Sequence, residues 1–479
     1  MPRSTKIVAT LGPASNSPEM LSRLIAAGVD VVRLNFSHGE AADHIERARV
    51  VREQAGIQGR AVGIMVDLQG PKIRIGKFRD GRTTLVPGAS FVLDTECTEG
   101  DAEHVGLDYP ELVRDVGPGA VLLLDDGLIK LVVEQVQDSR IVTRVVLGGV
   151  LSNNKGINRQ GGGLSAPALT AKDMEDVKTA AAIDADFLAV SFPKNKEDMY
   201  MARQLLRAAG SRAVLLAKIE RAEAIGALEE IIDASDGIMV ARGDLAVEVG
   251  NAAVPGLQKR MIRLARTMNK LTITATQMME SMIQNPVPTR AEVSDVANAV
   301  YEEADAVMLS GETTIGKYPV KCVEYLDRIC RAVEPHRGLR FIENLVLTEQ
   351  KQSLAASAVH LAELISARGI VVITRRGRMA NYVTNCHPHT PVIYAFTNDS
   401  RTRRLLALNR GVCAYRSNFS TDPEKTLASA FAILLQREGF RVGDKVVVIS
   451  DILEGAGVEA IHVREVPALA AVADVADFP

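Results

Sequence analysis

Two short runs carry the densest chemistry in this chain, Ala217–Lys218–Ile219–Glu220 and Ala241–Arg242–Gly243–Asp244. Glu220 and Asp244 would suit Mg2+, which favours oxygen ligands and keeps positions open for water and substrate. Lys218 is a point charge able to neutralise a transferring phosphoryl group. Gly243 lets backbone approach an oxyanion, and a helix starting near Gly243–Asp244 would turn free N–H groups toward it. For any one of these charges, an ion pair between strand ends is the alternative reading.

Other segments extend the set. Arg33 in RLNFSH (33–38) suits bidentate phosphate recognition, and Asn35 and Ser37 could ligate a cation. An Arg33 paired to a neighbouring carboxylate is the plainer option. DLQGPKIR (67–74) joins the carboxylate of Asp67 to a Gly70-Pro71 turn that also reads as a hinge. TATQMMESM (274–282) ends on Thr hydroxyls, Thr276 among them, although Thr at a strand end is more often structural. Near the C-terminus, Arg375, Arg376, Gly377 and Arg378 follow a strand and precede a helical pattern. They form either a phosphate cradle or a solvated basic turn.

The elements that must position these residues are legible in the apolar pattern. Leu215–Asp244 reads as two strands flanking one helix, and both strands are too uniformly apolar for a half-exposed sheet. In a βαβ unit their charged ends emerge at one carboxyl edge. Eight such runs recur with helical patterns between most of them: KIVATLG (6–12), DVVRLNF (30–36), AVGIMVDLQG (61–70), DFLAVSF (186–192), AVLLAKIE (213–220), GIMVARGD (237–244), LTITATQ (271–277) and AVMLSGET (306–313). This spacing predicts a (β/α)8 TIM barrel over 1–70 and 168–340, with the chemistry at its carboxyl edge. Residues 71–167 break the rhythm with short alternating runs and turns, which predicts an inserted small β-barrel domain able to close over the site. Residues 345–479 alternate strands with helices and predict a separate open α/β domain.

A chain of 479 residues should hold about three domains, at roughly 150 residues each. The net charge of −3 gives no reason to propose nucleic acid or an anionic membrane as partner. Five scattered cysteines without CxxC spacing argue for a reducing compartment and against a zinc site. MPRSTKIVATLG runs straight into a strand with no signal-peptide pattern, and no apolar run approaches the ~20 residues of a membrane span. A cytoplasmic protein is expected.

Together these segments resemble the pyruvate kinase family. The resemblance is carried by ATLGPAS (9–15), RLNFSHG (33–39), DLQGPKIR (67–74), LDDGLI (124–129), KGIN (155–158), AKIE (217–220), MVARGDL (239–245), ITATQMMESM (273–282), PTRAEVSDVANAV (288–300) and DAVMLSGET (305–313), in family order. The C-terminal region resembles the family only in its βα pattern and in TRRGRMA (374–380). The resemblance implies transfer of the phosphoryl group of phosphoenolpyruvate to ADP, giving pyruvate and ATP, in a homotetramer that uses Mg2+ or, in its place, Mn2+. It implies that Lys218 stabilises the transferring phosphoryl group and that Glu220 and Asp244 hold the metal. Gly243, Asp244 and Thr276 would contact phosphoenolpyruvate, and Arg33 its phosphate. Asn35, His38, Arg74 and Lys155 fall where the family contacts nucleotide, and Asn35, Ser37 and Asp67 where it has a monovalent-cation region. Thr276 and Ser310 fall near the path by which the enolate is protonated.

Three departures matter. Many family members have Glu after the Gly-Pro of the third-strand motif and require K+, whereas this chain has Lys72, with Leu68 in place of a polar residue. That resembles the K+-independent group, in which a lysine ammonium supplies the missing charge. NRQGGGLSAPALT (158–170) replaces the more usual Leu-Pro-Gly return to the barrel, which bears on how the cap closes. Fructose-bisphosphate-activated members carry a hydroxyl-rich loop late in the last domain, but SDILEGAGVEA (450–460) is acidic. A sugar monophosphate or nucleotide monophosphate is therefore the expected effector, at Thr374, Arg375, Arg376, Gly377 and Arg378.

Two other readings compete. A Mg2+-dependent enolate-forming lyase or aldolase would also use barrel carboxylates and an Arg, but has no need of the insertion, KGIN or Lys218. A metabolite-sensing module on an inactive barrel would lack Lys218, Glu220 or Asp244, and all three are present.

Overall fold

The computed structural model describes residues 2–336, 338, 339, 345, 347–450 and 460–468. Eight strands, Lys6–Thr10, Val31–Asn35, Gly63–Asp67, Phe187–Val190, Val214–Ile219, Gly237–Ala241, Leu271–Ala275 and Ala306–Leu309, close into a parallel barrel. Each pairs with the next in the chain, and the eighth returns to the first through Lys6↔Ala306 and Ile7↔Val307. The strands are buried on both faces, as their unbroken apolar runs require. Val8, Met65, Phe187, Leu216, Met239 and Ile273 fill the interior, while a larger apolar cluster joins the outer strand faces to the surrounding helices.

Local signals set the helix ends. Ser17 caps Pro18–Ala27 by accepting from Met20 N–H at 3.1 Å, and Gly28 ends it at φ +119°. Thr170 with Asp173 and Thr289 with Glu292 form capping boxes at the starts of Ala171–Ala182 and Arg290–Tyr301. Several strands stop short of the expected spans because the chain turns at the carboxyl edge. The sixth ends at Ala241, so Arg242, Gly243 and Asp244 form the first turn of helix Arg242–Val249.

The inserted β-domain is present, with its strands divided between a six-stranded sheet and a two-stranded ribbon rather than forming one closed ladder. The division falls at Gly148, between strands Arg140–Leu147 and Gly149–Ser152, where the chain leaves one sheet for the other. A Cβ there would lie 2.2 Å from the Leu85 carbonyl oxygen, so the corner admits only glycine. Both sheets share one apolar core that includes Phe91, Leu122, Leu131 and Ile141.

The C-terminal sheet holds Gly369–Ile373 at its centre, with Val392–Thr397 and Val412–Arg416 to one side and Lys445–Ser450 and Ala460–Glu465 to the other. Only the last strand runs antiparallel. Apolar clusters cover both faces. From this unit, Ala407 and Leu408 enter the barrel's interior cluster at its amino-terminal end and complete its floor. Around them, Arg404 pairs with Asp186 at 2.9 Å and Lys6 Nζ donates to the Val412 carbonyl at 2.7 Å. Among the described residues no helix is long and apolar enough to cross a membrane. All five cysteines are free thiols.

Candidate active site

At the carboxyl edge, the ends of the second, third and fifth strands bring four charges together. Lys218 Nζ lies 3.1 Å from Asp67 Oδ1 and 2.9 Å from Glu220 Oε1. Arg33 Nε meets the other oxygen of Asp67 at 2.5 Å, and Arg33 Nη1 donates to Thr10 Oγ1 at 3.1 Å. Asp67 is fully buried. Burial pulls its pKa up, but Arg33 and Lys218 outweigh this and hold the carboxyl below its usual range. Burial likewise pushes Lys218 down, and Asp67 and Glu220 overcome it, so the ammonium stays charged. The result is a largely buried, charged cluster, an environment in which charge neutralisation of a phosphoryl group is effective.

Glu220 and Asp244 fit a hard divalent cation. Burial raises the Glu220 pKa, opposed by Lys218 and reinforced by Asp244, so the two carboxylates act on one region of space. Glu220 Oε2 accepts from Phe192 N–H at 3.1 Å, which fixes its plane. Among the described residues no group of three or more His, Cys, Asp or Glu could hold a metal. A pair of carboxylates with water and phosphate oxygens completing the shell is the pattern Mg2+ takes. Lys72 also reaches this corner, with Nζ 3.0 Å from Asp244 Oδ1.

The seventh strand ends in strained backbone. Thr276 and Gln277 have φ of +67° and +54°, and a β-branched residue in that region is a true outlier. The Thr276 hydroxyl accepts from Gly243 N–H at 3.0 Å and donates to the Ala275 carbonyl at 2.6 Å. Arg242 clamps this turn. It donates to the carbonyls of Ala275 and Thr276 and pairs with Asp295 at 2.7 Å.

A closed (β/α)8 barrel with a β-insertion after its third strand and a C-terminal α/β unit has close counterparts among known proteins. A family model described as pyruvate kinase, barrel domain, matches residues 2–323, and one described as pyruvate kinase, alpha/beta domain, matches residues 352–463. The chain belongs to the pyruvate kinase family. Pyruvate kinase II of Salmonella typhimurium is 47% identical over 458 residues, covering 94% of this chain and 95% of that protein. A pyruvate kinase of Haemophilus influenzae is 46% identical over 455 residues, covering 93% and 95%. In three dimensions the fold matches a crystal structure of a pyruvate kinase from Cryptosporidium parvum, with a TM-score of 0.91 at 32% identity over 97% of this chain and 96% of that one. Like other pyruvate kinases, the chain is a transferase.

The remaining residues expected from the pyruvate kinase pattern divide into groups. Arg33, Asn35, His38 and Ser310 line one cavity of about 540 Å³ beside the first and eighth strands. Ser310 Oγ is buried there without a hydrogen-bond partner. Asn35 Oδ1 accepts from Ser37 N–H at 3.2 Å. Arg74 and Lys155 are not part of that cavity's lining. Each is tied into the insertion, Arg74 Nη1 to the Asn154 carbonyl at 3.0 Å and Lys155 Nζ to Asp125 at 2.7 Å. The return segment is clasped to the barrel: Gly161 N–H donates to the Glu248 carbonyl at 3.1 Å and Gly163 N–H to the Glu223 carboxylate.

At the expected effector loop, Gly377 has φ +77° and starts helix Arg378–Asn385, and its N–H donates to Thr374 Oγ1 at 3.1 Å. The Arg375 carbonyl accepts from the Thr397 and Thr402 hydroxyls, and Arg378 lies 3.9 Å from Glu349. Arg376 and Gly377 border a cavity of about 180 Å³ between this domain and the barrel floor. Residues 451–459 of the acidic stretch lie outside the described residues.

Three participants escaped the sequence reading: Thr10, which holds Arg33; Ser191, whose Oγ lies 2.7 Å from Lys218 Nζ; and Arg242 in its clamping role. Thr10 and Ser191 end or follow barrel strands, and that position is the one signal that could have found them.

Proposed function

We propose that this chain transfers the phosphoryl group of phosphoenolpyruvate to ADP, giving pyruvate and ATP, and does so without K+. The observation that carries the reading is the Arg33–Asp67–Lys218–Glu220 cluster, with Asp244 beside it, at the carboxyl edge of a barrel of this family. Arg33 grips the substrate phosphate as a fork, and Lys218 neutralises the phosphoryl group as it moves between oxygens. Gly243, in the first turn of its helix, meets the substrate with little side-chain bulk, and Thr276 fixes that turn. Mg2+ held by Glu220 and Asp244 would supply charge neutralisation at the phosphate and enolate oxygens. Asn35 and His38 face the nucleotide, and Arg74 and Lys155 approach it from the insertion. Thr276 and Ser310 place their hydroxyls near the path by which the enolate carbon is protonated.

Lys72 supports K+ independence, because its ammonium adds positive charge beside Asp244. The division into a barrel of 1–70 and 168–340, a cap of 71–167 and a C-terminal unit from 345 is supported by their separate apolar clusters. Activation by a sugar or nucleotide monophosphate at Thr374–Arg378 is supported by the left-handed Gly377 opening a helix among three arginines. Retained activation after Arg376→Ala and Arg378→Ala would count against that site.

A lactate dehydrogenase-coupled assay tests the whole reading. The expected result is ADP-dependent pyruvate formation in sodium buffer, lost by roughly a hundredfold or more in Lys218→Met. Absence of turnover without K+ would overturn the cation claim, and a fully active Lys218→Met would overturn the assignment of the site.

A further inference from the structure

Ser191 and Phe192 follow the fourth barrel strand, Phe187–Val190, and form a buried turn in which Phe192 has φ +57°. This turn holds two members of the proposed site at once. Ser191 Oγ accepts from Lys218 Nζ at 2.7 Å while donating to the Leu68 carbonyl at 2.6 Å, with Asp67 Oδ1 a longer alternative acceptor at 3.4 Å, and since an ammonium can only donate, a lone pair of the hydroxyl faces the lysine. One residue on, Phe192 N–H donates to Glu220 Oε2.

The same turn touches both strands of chain that join the barrel to its insertion. On the outward path, Gly70 has φ +65°, and a Cβ there would lie 2.8 Å from Ser191 Cβ and 3.0 Å from the Phe192 ring. On the return path, Arg221 lies over the Phe192 ring at 5.5 Å and donates to the Leu164 carbonyl at 3.5 Å. A shift of either path bears on a turn that is 1% and 6% exposed at its two residues and packed too tightly to absorb it.

We propose that Ser191 is a positioning residue for Lys218, and that the Ser191–Phe192 turn couples the seating of the insertion to the placement of Lys218 and Glu220. The inference rests on the assignment of Lys218 to the phosphoryl group. Without the Ser191 hydroxyl, the ammonium has only the carboxylates of Asp67 and Glu220 as close partners and is drawn toward them, away from the point where a phosphoryl group passes. Substrate binding, which uses Arg33 and the Gly243 turn, is left largely intact. The loss should therefore fall on kcat and spare KM.

The test compares wild type, Ser191→Ala, Gly70→Ala and Lys218→Met for kcat, for KM of phosphoenolpyruvate and ADP, and for phosphoenolpyruvate binding by calorimetry. Thermal melting confirms that each variant is folded. Misplacing a reacting group by about 1 Å costs about a hundredfold, so Ser191→Ala should lose tenfold to a hundredfold in kcat, with binding within about threefold of wild type. Gly70→Ala, which touches no substrate, should lower kcat in the same way by pressing on the turn. A kcat for Ser191→Ala within about twofold of wild type overturns the proposal. So does a parallel loss of binding, which would mark a collapsed pocket. If Lys218→Met keeps full turnover, the assignment of Lys218 fails instead.

Discussion

Lys72 and Asp244 meet across the junction between the insertion and the barrel, ammonium to carboxylate at 3.0 Å, although 172 residues of chain separate them. The contact ties the outward path of the insertion to the helix that carries Asp244, one of the two carboxylates proposed to hold Mg2+. Replacing Lys72 with glutamate would set two like charges against each other beside that proposed ligand. Lys72→Glu is expected to lose on the order of a hundredfold in turnover in sodium buffer, while Lys72→Arg keeps most of it. Unchanged Lys72→Glu kinetics would sink the idea that this ammonium serves the site.

Thr276 separates hydroxyl chemistry from side-chain shape. Thr276→Ser preserves the acceptor for Gly243 N–H, whereas Thr276→Val keeps the shape and removes it. Turnover should fall by about a hundredfold in the valine variant and by only a few fold in serine. Equal losses in both would show that the methyl group matters more than the oxygen.

The clasp between the return segment and the barrel carries its own pH dependence. Burial, with Glu223 adding to it, pushes the Glu248 pKa up to about 7 against the pull of Ala222 N–H, Arg221 and Asn158. A carboxyl raised on folding binds more protons in the folded state than in the unfolded one. Its contribution is therefore favourable below its unfolded value near 4.5 and is lost as pH rises through 7. The penalty above pH 7 is of order 3 kcal/mol. Glu248→Gln should flatten the stability profile between these limits and raise the urea midpoint at pH 8. A profile identical to wild type would contradict it.

Asp186, at the opposite end of the barrel, offers a contrast. It is fully buried and accepts from Arg52 at 2.8 Å, Arg404 at 2.9 Å and Ile64 N–H at 2.9 Å. Asp186→Asn leaves Arg52 without its carboxylate partner, while Arg404 keeps Asp184 at 2.6 Å, and should cost on the order of 3 kcal/mol in unfolding free energy. The kcat of the folded fraction should hold, since the change lies at the floor and not at the reacting edge. A lowered kcat with unchanged stability would reverse that assignment.

Much of this was legible in the chain. Strands such as GIMVD and GIMVA are apolar at both faces because helices cover one side and the barrel interior the other, so they stand out as unbroken runs. Lys218, Glu220 and Asp244 stand out because charge directly after such a run has few purposes. Ser191 and Thr10 carry no such mark, since a neutral hydroxyl gains its role only from what another strand places beside it. Arg242 sits beside Asp244 in the chain, but as the first residue of its helix it bonds back to the end of the seventh strand, a partner that the sequence does not reveal. Arg74 and Lys155 were read by motif, and where an insertion holds its own cations depends on partners such as Asp125 that periodicity does not reveal. The division of the insertion into two sheets hinged on Gly148, a single residue whose role is set by the Leu85 carbonyl opposite.

The floor of the barrel has a consequence for how the protein is made. Its last strand ends at Leu309, but Ala407 and Leu408, which seal the interior from below, lie about a hundred residues later. At typical synthesis rates of about 5 to 20 residues per second, the nascent barrel waits several seconds with an open apolar end while the ribosome supplies its plug. A chain truncated before Ala407 keeps that end open and should accumulate in the aggregated fraction rather than as free barrel.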